Sequence, residues 1–106
     1  MDEKVKTVLA ELRAELEKIY GERLKELILF GSQARGDAEA ESDIDVAAVL
    51  SGEFKVGEEI DRTGELSSEL CLKYEKLVSL VFLSEEDYRE RNLPTIINIR
   101  HEGITV

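Results

Sequence analysis

The chain has no tryptophan, and only one cysteine, one proline, one histidine and one glutamine among its 106 residues. A single Cys71 has no partner for a disulfide, and no Cys/His set with zinc-ligand spacing is present. With three Phe and three Tyr, the core has to be aliphatic. No apolar stretch approaches the roughly 18 residues that a membrane span needs. The N-terminus is acidic and amphipathic, without the charged region and apolar run of a signal peptide. Positive charge is also scarce: 14 Lys and Arg stand against 24 Asp and Glu, for a net charge of -10. That disfavours broad binding to nucleic-acid backbones, which takes clustered Lys and Arg, and leaves room for a basic protein partner. These absences together place the expected chain in the cytoplasm, away from membranes. The amide-poor, Glu/Lys/Arg-rich composition suits a thermophile.

What remains is one small domain spanning residues 1–106. A chain of this length buries about two-thirds of its unfolded surface, enough for a single core. Val5, Val8, Leu9, Leu12, Leu16 and Ile19 recur at helical spacing, which predicts an amphipathic helix from Asp2 to Tyr20 that Gly21 stops. Leu27–Phe30 and Ile44–Leu50 read as buried strands, with a loop or short helical turn over residues 31–42. Glu58–Tyr74 reads as a second helix with Ile60, Leu66, Leu70, Cys71 and Tyr74 inward, and Gly64 marks its kink or start. Leu77–Leu83 is a third strand. Ser84 caps a short acidic helix to Asn92, and a last helix runs from Thr95 to His101. The order predicts an α/β fold, a mixed sheet of three to four strands with helices packed on it.

Chemistry concentrates between Phe30 and Leu50. Gly31-Ser32 closes the first strand, a ten-residue spacer follows, and Asp43-Ile44-Asp45 opens the second. Residues two apart on a strand share a face, about 7 Å apart. Two carboxylates so placed suit magnesium, which takes hard oxygen ligands and completes its shell with water and phosphate. Two ions about 4 Å apart would clamp an in-line displacement at phosphorus. Gly31 permits close backbone approach, and Ser32 and the turn offer a hydroxyl and N–H groups to phosphate oxygens. Asp43 and Asp45 adjoin a strand that otherwise reads as buried, where carboxylates are costly unless paired or metal-bound.

The segment Gly31-Ser32-Gln33-Ala34-Arg35-Gly36 through Ser42-Asp43-Ile44-Asp45 resembles the signature of the minimal nucleotidyltransferases, stand-alone members of the DNA polymerase beta-like superfamily. The resemblance extends to the ending Asn98-Ile99-Arg100-His101-Glu102-Gly103. It implies an antitoxin of a toxin–antitoxin pair that transfers AMP from ATP to a tyrosine of a HEPN-domain RNase toxin, with magnesium, in a hetero-oligomer. Carried over residue by residue, it puts metal binding and catalysis on Asp43 and Asp45. It puts triphosphate binding on Gly31 and Ser32, and on Arg35 either a phosphate contact or a salt bridge shaping the loop.

One departure bears on the chemistry. The resemblance implies a third carboxylate on the adjacent strand, in the segment Val78-Ser79-Leu80-Val81, where this chain has Ser79. Three alternatives stay open: a catalytically weak or inactive module that binds nucleotide or toxin; substitution by another acid such as Glu75; or two aspartates sufficing because a tyrosine acceptor loses its proton readily. Retained activity is the expectation. An antibiotic-modifying enzyme is disfavoured, because those usually need a further helical domain. His101 is expected at the surface, Cys71 in the core, and Tyr20, Tyr74 and Tyr88 as packing residues. Glu39 and Glu41 flank the site as solvated loop acids or as contacts for a basic acceptor.

Overall fold

The computed structural model describes residues 2–39 and 42–106; Glu41, expected to flank the site, lies outside them. Helix α1, Glu3–Tyr20, starts where the Asp2 carboxylate accepts the Lys4 N–H at 2.7 Å and stops at Gly21, whose φ is 55°. Strand β1 is Leu24–Phe30, helix α2 is Ser32–Arg35 and strand β2 is Ile44–Leu50. A long helix α3, Val56–Tyr74, crosses over to strand β3, Val78–Ser84. Helices α4 (Glu85–Glu90) and α5 (Pro94–Glu102) lead to a two-residue strand β4, Ile104–Thr105.

The sheet order is β3-β2-β1-β4. Strand β2 pairs antiparallel with β1 and parallel with β3, as the intervening helix requires of a crossover, and β4 pairs antiparallel with β1. Alternate residues of the strands therefore feed two cores. Leu27, Leu29, Ile44, Val46, Ala48 and Leu50 face α1 and α3. Ile28, Ala47, Val49 and Leu83 face Ile96 and Ile99 of α5. The result is a three-layer α/β fold with a four-stranded mixed sheet in the middle, as expected from the order of elements.

Helix α1 keeps its expected inward face of Val5, Val8, Leu9, Leu12 and Leu16 and departs from it only at the end, where Tyr20 is buried and Ile19 is 40% exposed. On α3, the inward residues are Glu59, Thr63 and Leu70, while Ile60 is exposed and Leu66, Cys71 and Tyr74 are half-buried. The Tyr20 hydroxyl donates to Glu59 Oε1 at 2.7 Å, and Arg62 Nε meets the same oxygen at 3.1 Å. Burial, and then this bond to the carboxylate, push the Tyr20 hydroxyl well above the usual tyrosine range. A buried acid with two donors is sustainable where a lone one is not, so polar pairing sets which face of α3 turns inward. Gly64 lies mid-helix and marks neither a start nor an end. Cys71 is not a core residue; it lines a shallow depression of about 370 Å³ with Ser67, Ser68, Leu72 and Leu77. No helix among the described residues is long and apolar enough to cross a membrane.

Candidate active site

Strand register places the site. Phe30 of β1 lies opposite Asp45 of β2, and Asp45 lies beside Ser79 of β3. These three form one row across the sheet, on the face that carries Ala47, Val49 and α5. Neighbouring strands are about 4.8 Å apart, so Asp45 and Ser79 are in reach of a common ligand. Asp43 is exposed and lies one residue ahead of β2, so that only Asp45 of the pair stands on the strand. The strand begins at Ile44, whose N–H donates to the Leu77 carbonyl at 2.9 Å. Asp45 is half-buried. Burial first, and repulsion from Asp43 second, raise its carboxyl above the usual aspartate range, with Arg35 opposing the rise. The two carboxylates are therefore electrostatically coupled, and their negative charge is incompletely neutralised.

Gly31 joins the turn to this pair. Its φ is 74° and its ψ is -155°, a region essentially reserved for glycine. A side chain there would put its Cβ 2.6 Å from Asp45 Oδ2. The turn that follows β1 thus rests directly against the carboxylate. Gly31→Ala is expected to destabilise the fold by on the order of 1–3 kcal/mol through backbone strain alone, and to displace Asp45 as well. Urea denaturation of the variant measures the first effect, and a midpoint equal to wild type would contradict it.

Ser32 opens the four-residue helix α2, with Gly31 as its N-cap. The Ala34 and Arg35 N–H groups both donate to the Gly31 carbonyl, and Gly36 ends the turn in the left-handed conformation. The first N–H groups of any helix lack intrahelical partners and point towards anions. Gln33 Nε2 donates to the Ser42 carbonyl at 3.3 Å, and the Ser42 hydroxyl accepts the Glu39 N–H, which ties the turn to the residue before Asp43. Arg35 has the salt bridges that one of its two alternatives anticipated: Nε to Asp37 Oδ2 at 3.2 Å and Nη1 to Glu102 Oε2 at 3.1 Å. Those bonds raise its pKa, Asp37 first.

Sequence reasoning missed Glu102 as a partner of Arg35, because 67 residues separate them and no periodicity links them. Glu75 is exposed at the C-cap of α3, in the left-handed region at φ 56°. No group of three or more His, Cys, Asp or Glu side chains is arranged to hold a metal ion among the described residues, so Glu75 does not join the aspartate pair here. His101 is exposed near the end of α5, as expected.

Comparison with known proteins identifies the family. Residues 9–102 match the family described as "Nucleotidyltransferase domain". Two proteins of Methanocaldococcus jannaschii, each named "Putative protein adenylyltransferase", are similar. One is 37% identical over 89 residues, covering 83% of this chain and 83% of its own length. The other is 36% identical over 72 residues, covering 68% and 72%. Among solved structures, a putative nucleotidyltransferase from Sulfolobus solfataricus matches 99% of this chain and 87% of its own, with TM-score 0.63 and 20% identity. A toxin–antitoxin complex with AMP-PNP matches 88% of this chain and 68% of its own, with TM-score 0.59 and 22% identity. A complex of tri-AMPylated HEPN toxin with MNT antitoxin, from Shewanella oneidensis, matches 96% and 67%, with TM-score 0.54 and 19% identity. At those identities the solved structures speak for the shared fold, while the match over residues 9–102 and the two relatives above 35% identity carry the assignment: the chain belongs to the nucleotidyltransferase domain family.

Proposed function

We propose that the chain is a protein adenylyltransferase of the minimal nucleotidyltransferase type. It acts as the antitoxin to a HEPN-domain RNase, moving AMP from ATP to a tyrosine of that partner. The observation that carries this reading is the close approach of Gly31 to Asp45, which supports a phosphate-holding role for the turn beside a metal-holding role for the carboxylate. The acidic surface suits a basic protein acceptor better than a nucleic acid. The relatives named as protein adenylyltransferases and the fold shared with MNT–HEPN complexes support the same substrate class.

The residues fit magnesium. Asp43 and Asp45 are hard oxygen donors, and their mutual repulsion is what a divalent cation relieves. Magnesium, when bound there, neutralises charge on the phosphate oxygens of the reacting nucleotide. Gly31 and Ser32 hold the triphosphate through backbone N–H groups and the Ser32 hydroxyl, and Arg35 brings a guanidinium to the same turn. The tyrosine oxygen of the acceptor bonds to the α-phosphorus, the bond from that phosphorus to the bridging oxygen breaks, and pyrophosphate leaves. The phenol proton goes to water; with a pKa near 10 it leaves far more readily than that of a sugar hydroxyl.

A second reading, a module that neutralises the toxin by contact without turnover, is favoured by Ser79, which lies beside Asp45 where the resemblance implies a third carboxylate. Intact mass spectrometry separates the two. The chain is incubated with the product of the neighbouring reading frame, ATP and magnesium. A mass gain of one or more AMP units on the neighbour, absent with Asp43→Ala/Asp45→Ala, is the expected result. A stable complex of unchanged mass overturns it in favour of the binding module.

A further inference from the structure

We propose that Glu102 is a positioning residue for the nucleotide site: it holds the Arg35 guanidinium in place to receive phosphate. The inference rests on the nucleotide reading above and adds to it a residue from the far end of the chain.

Arg35 ends α2, three residues after Ser32. Its Nη1 meets Glu102 Oε2 at 3.1 Å, while its Nε meets Asp37 Oδ2 at 3.2 Å. A guanidinium has five N–H donors in a rigid plane, so donors remain for phosphate oxygens after both carboxylates are served. The plane is fixed from two directions, one local and one from α5. Arg35 belongs to the turn that rests on Asp45: its N–H donates to the carbonyl of Gly31 at 3.0 Å, and a Cβ on Gly31 would lie 2.6 Å from Asp45 Oδ2.

Glu102 is itself firmly placed. Ile96 and Ile99 of α5 are buried against the sheet. The next residue, Gly103, presses so closely on β1 that a Cβ there would overlap the Ile28 side chain and the Ile99 carbonyl. No side chain larger than hydrogen fits, and the end of α5 is pinned. An exposed ion pair of this kind contributes little to stability. What the fixed carboxylate does contribute is orientation, in an arginine whose long side chain would otherwise sample many rotamers.

The test uses the full chain and AMP-PNP with magnesium, read by calorimetric titration, and then ATP kinetics on the partner. Glu102→Gln is expected to keep the wild-type melting temperature within about two degrees. It is expected to weaken AMP-PNP binding about five- to tenfold and to raise the ATP KM by a similar factor, with kcat changed less than twofold. The charge swap R35E/E102R re-forms the ion pair in reverse and is expected to keep the wild-type melting temperature while failing to bind AMP-PNP. Wild-type affinity in E102Q, or in the swap, overturns the positioning role and leaves the nucleotide site standing. Absence of AMP-PNP binding in wild type overturns the nucleotide reading itself, and this inference with it.

Discussion

Replacing Asp45 with asparagine is expected to abolish AMP transfer, by about a thousandfold or more, while making the metal-free protein more stable. The loss corresponds to about 4 kcal/mol of transition-state stabilisation, within the scale of what a metal-bound phosphate gains. The gain has a separate origin. Burial and Asp43 raise the Asp45 carboxyl above its ordinary range. An acid whose pKa is raised by folding favours its neutral form in the fold, so at neutral pH its charge opposes folding. Asparagine has nearly the same shape without the charge, and removes that opposition. Thermal denaturation in a chelator should therefore show a higher melting temperature for D45N than for wild type. Added magnesium should raise the melting temperature of wild type and leave D45N unmoved, because a ligand stabilises only the state that binds it. A D45N variant that melts lower in chelator, or that still transfers AMP, contradicts the assignment. Stability set aside for function is the usual signature of an active site.

Ser79→Asp has the second largest expected effect, in the opposite direction. The row Phe30–Asp45–Ser79 lies across three strands, and Ser79 is exposed on β3, at the edge of the sheet. A carboxylate there would share a face with Asp45 at about one strand spacing. It would add a metal ligand and a base where serine is a weak ligand and no base at neutral pH. AMP transfer at limiting magnesium is expected to rise about tenfold, with the magnesium requirement shifted to lower concentration. Without metal, two like charges side by side on adjacent strands should lower the melting temperature. An unchanged rate would mean that the aspartate pair already serves a tyrosine acceptor in full.

Much of this architecture could be read from the chain, and what could not has definite causes. Strand β2 was legible to the residue, because Ile44–Leu50 is apolar on both faces and punctuated at both ends. Helix α1 was legible because its apolar residues keep strict helical spacing. The rotation of α3 was not, since the rule that places apolar residues inward cannot anticipate that Tyr20 draws Glu59 into the core. Strand β4 is two residues long and exists only through its pairing with β1, which no local pattern announces. At the site, the spacing of Gly31-Ser32 and Asp43-x-Asp45 singled out a turn and a strand end that the fold brings together. The placement of Ser79 beside Asp45 needed the parallel register, and the tie from Arg35 to Glu102 needed the packing of α5. Cys71 was assigned to the core from its residue type, and lies half-exposed because the face of α3 it occupies has no covering element among the described residues.

The two aspartates differ in how they are held. Asp45 belongs to a strand bonded on both sides, by β1 and by β3, whereas Asp43 lies outside that ladder. Amide hydrogen exchange should separate them widely. The amide of Asp45 should exchange only when the sheet itself opens, on the scale of global unfolding, and that of Asp43 far sooner. In the proposed metal site Asp45 would be a ligand built in advance and Asp43 one that the cation fixes. The entropy lost in fixing Asp43 would be drawn from the binding free energy. The balance between these two carboxylates would set how readily such a site releases metal and pyrophosphate after each transfer.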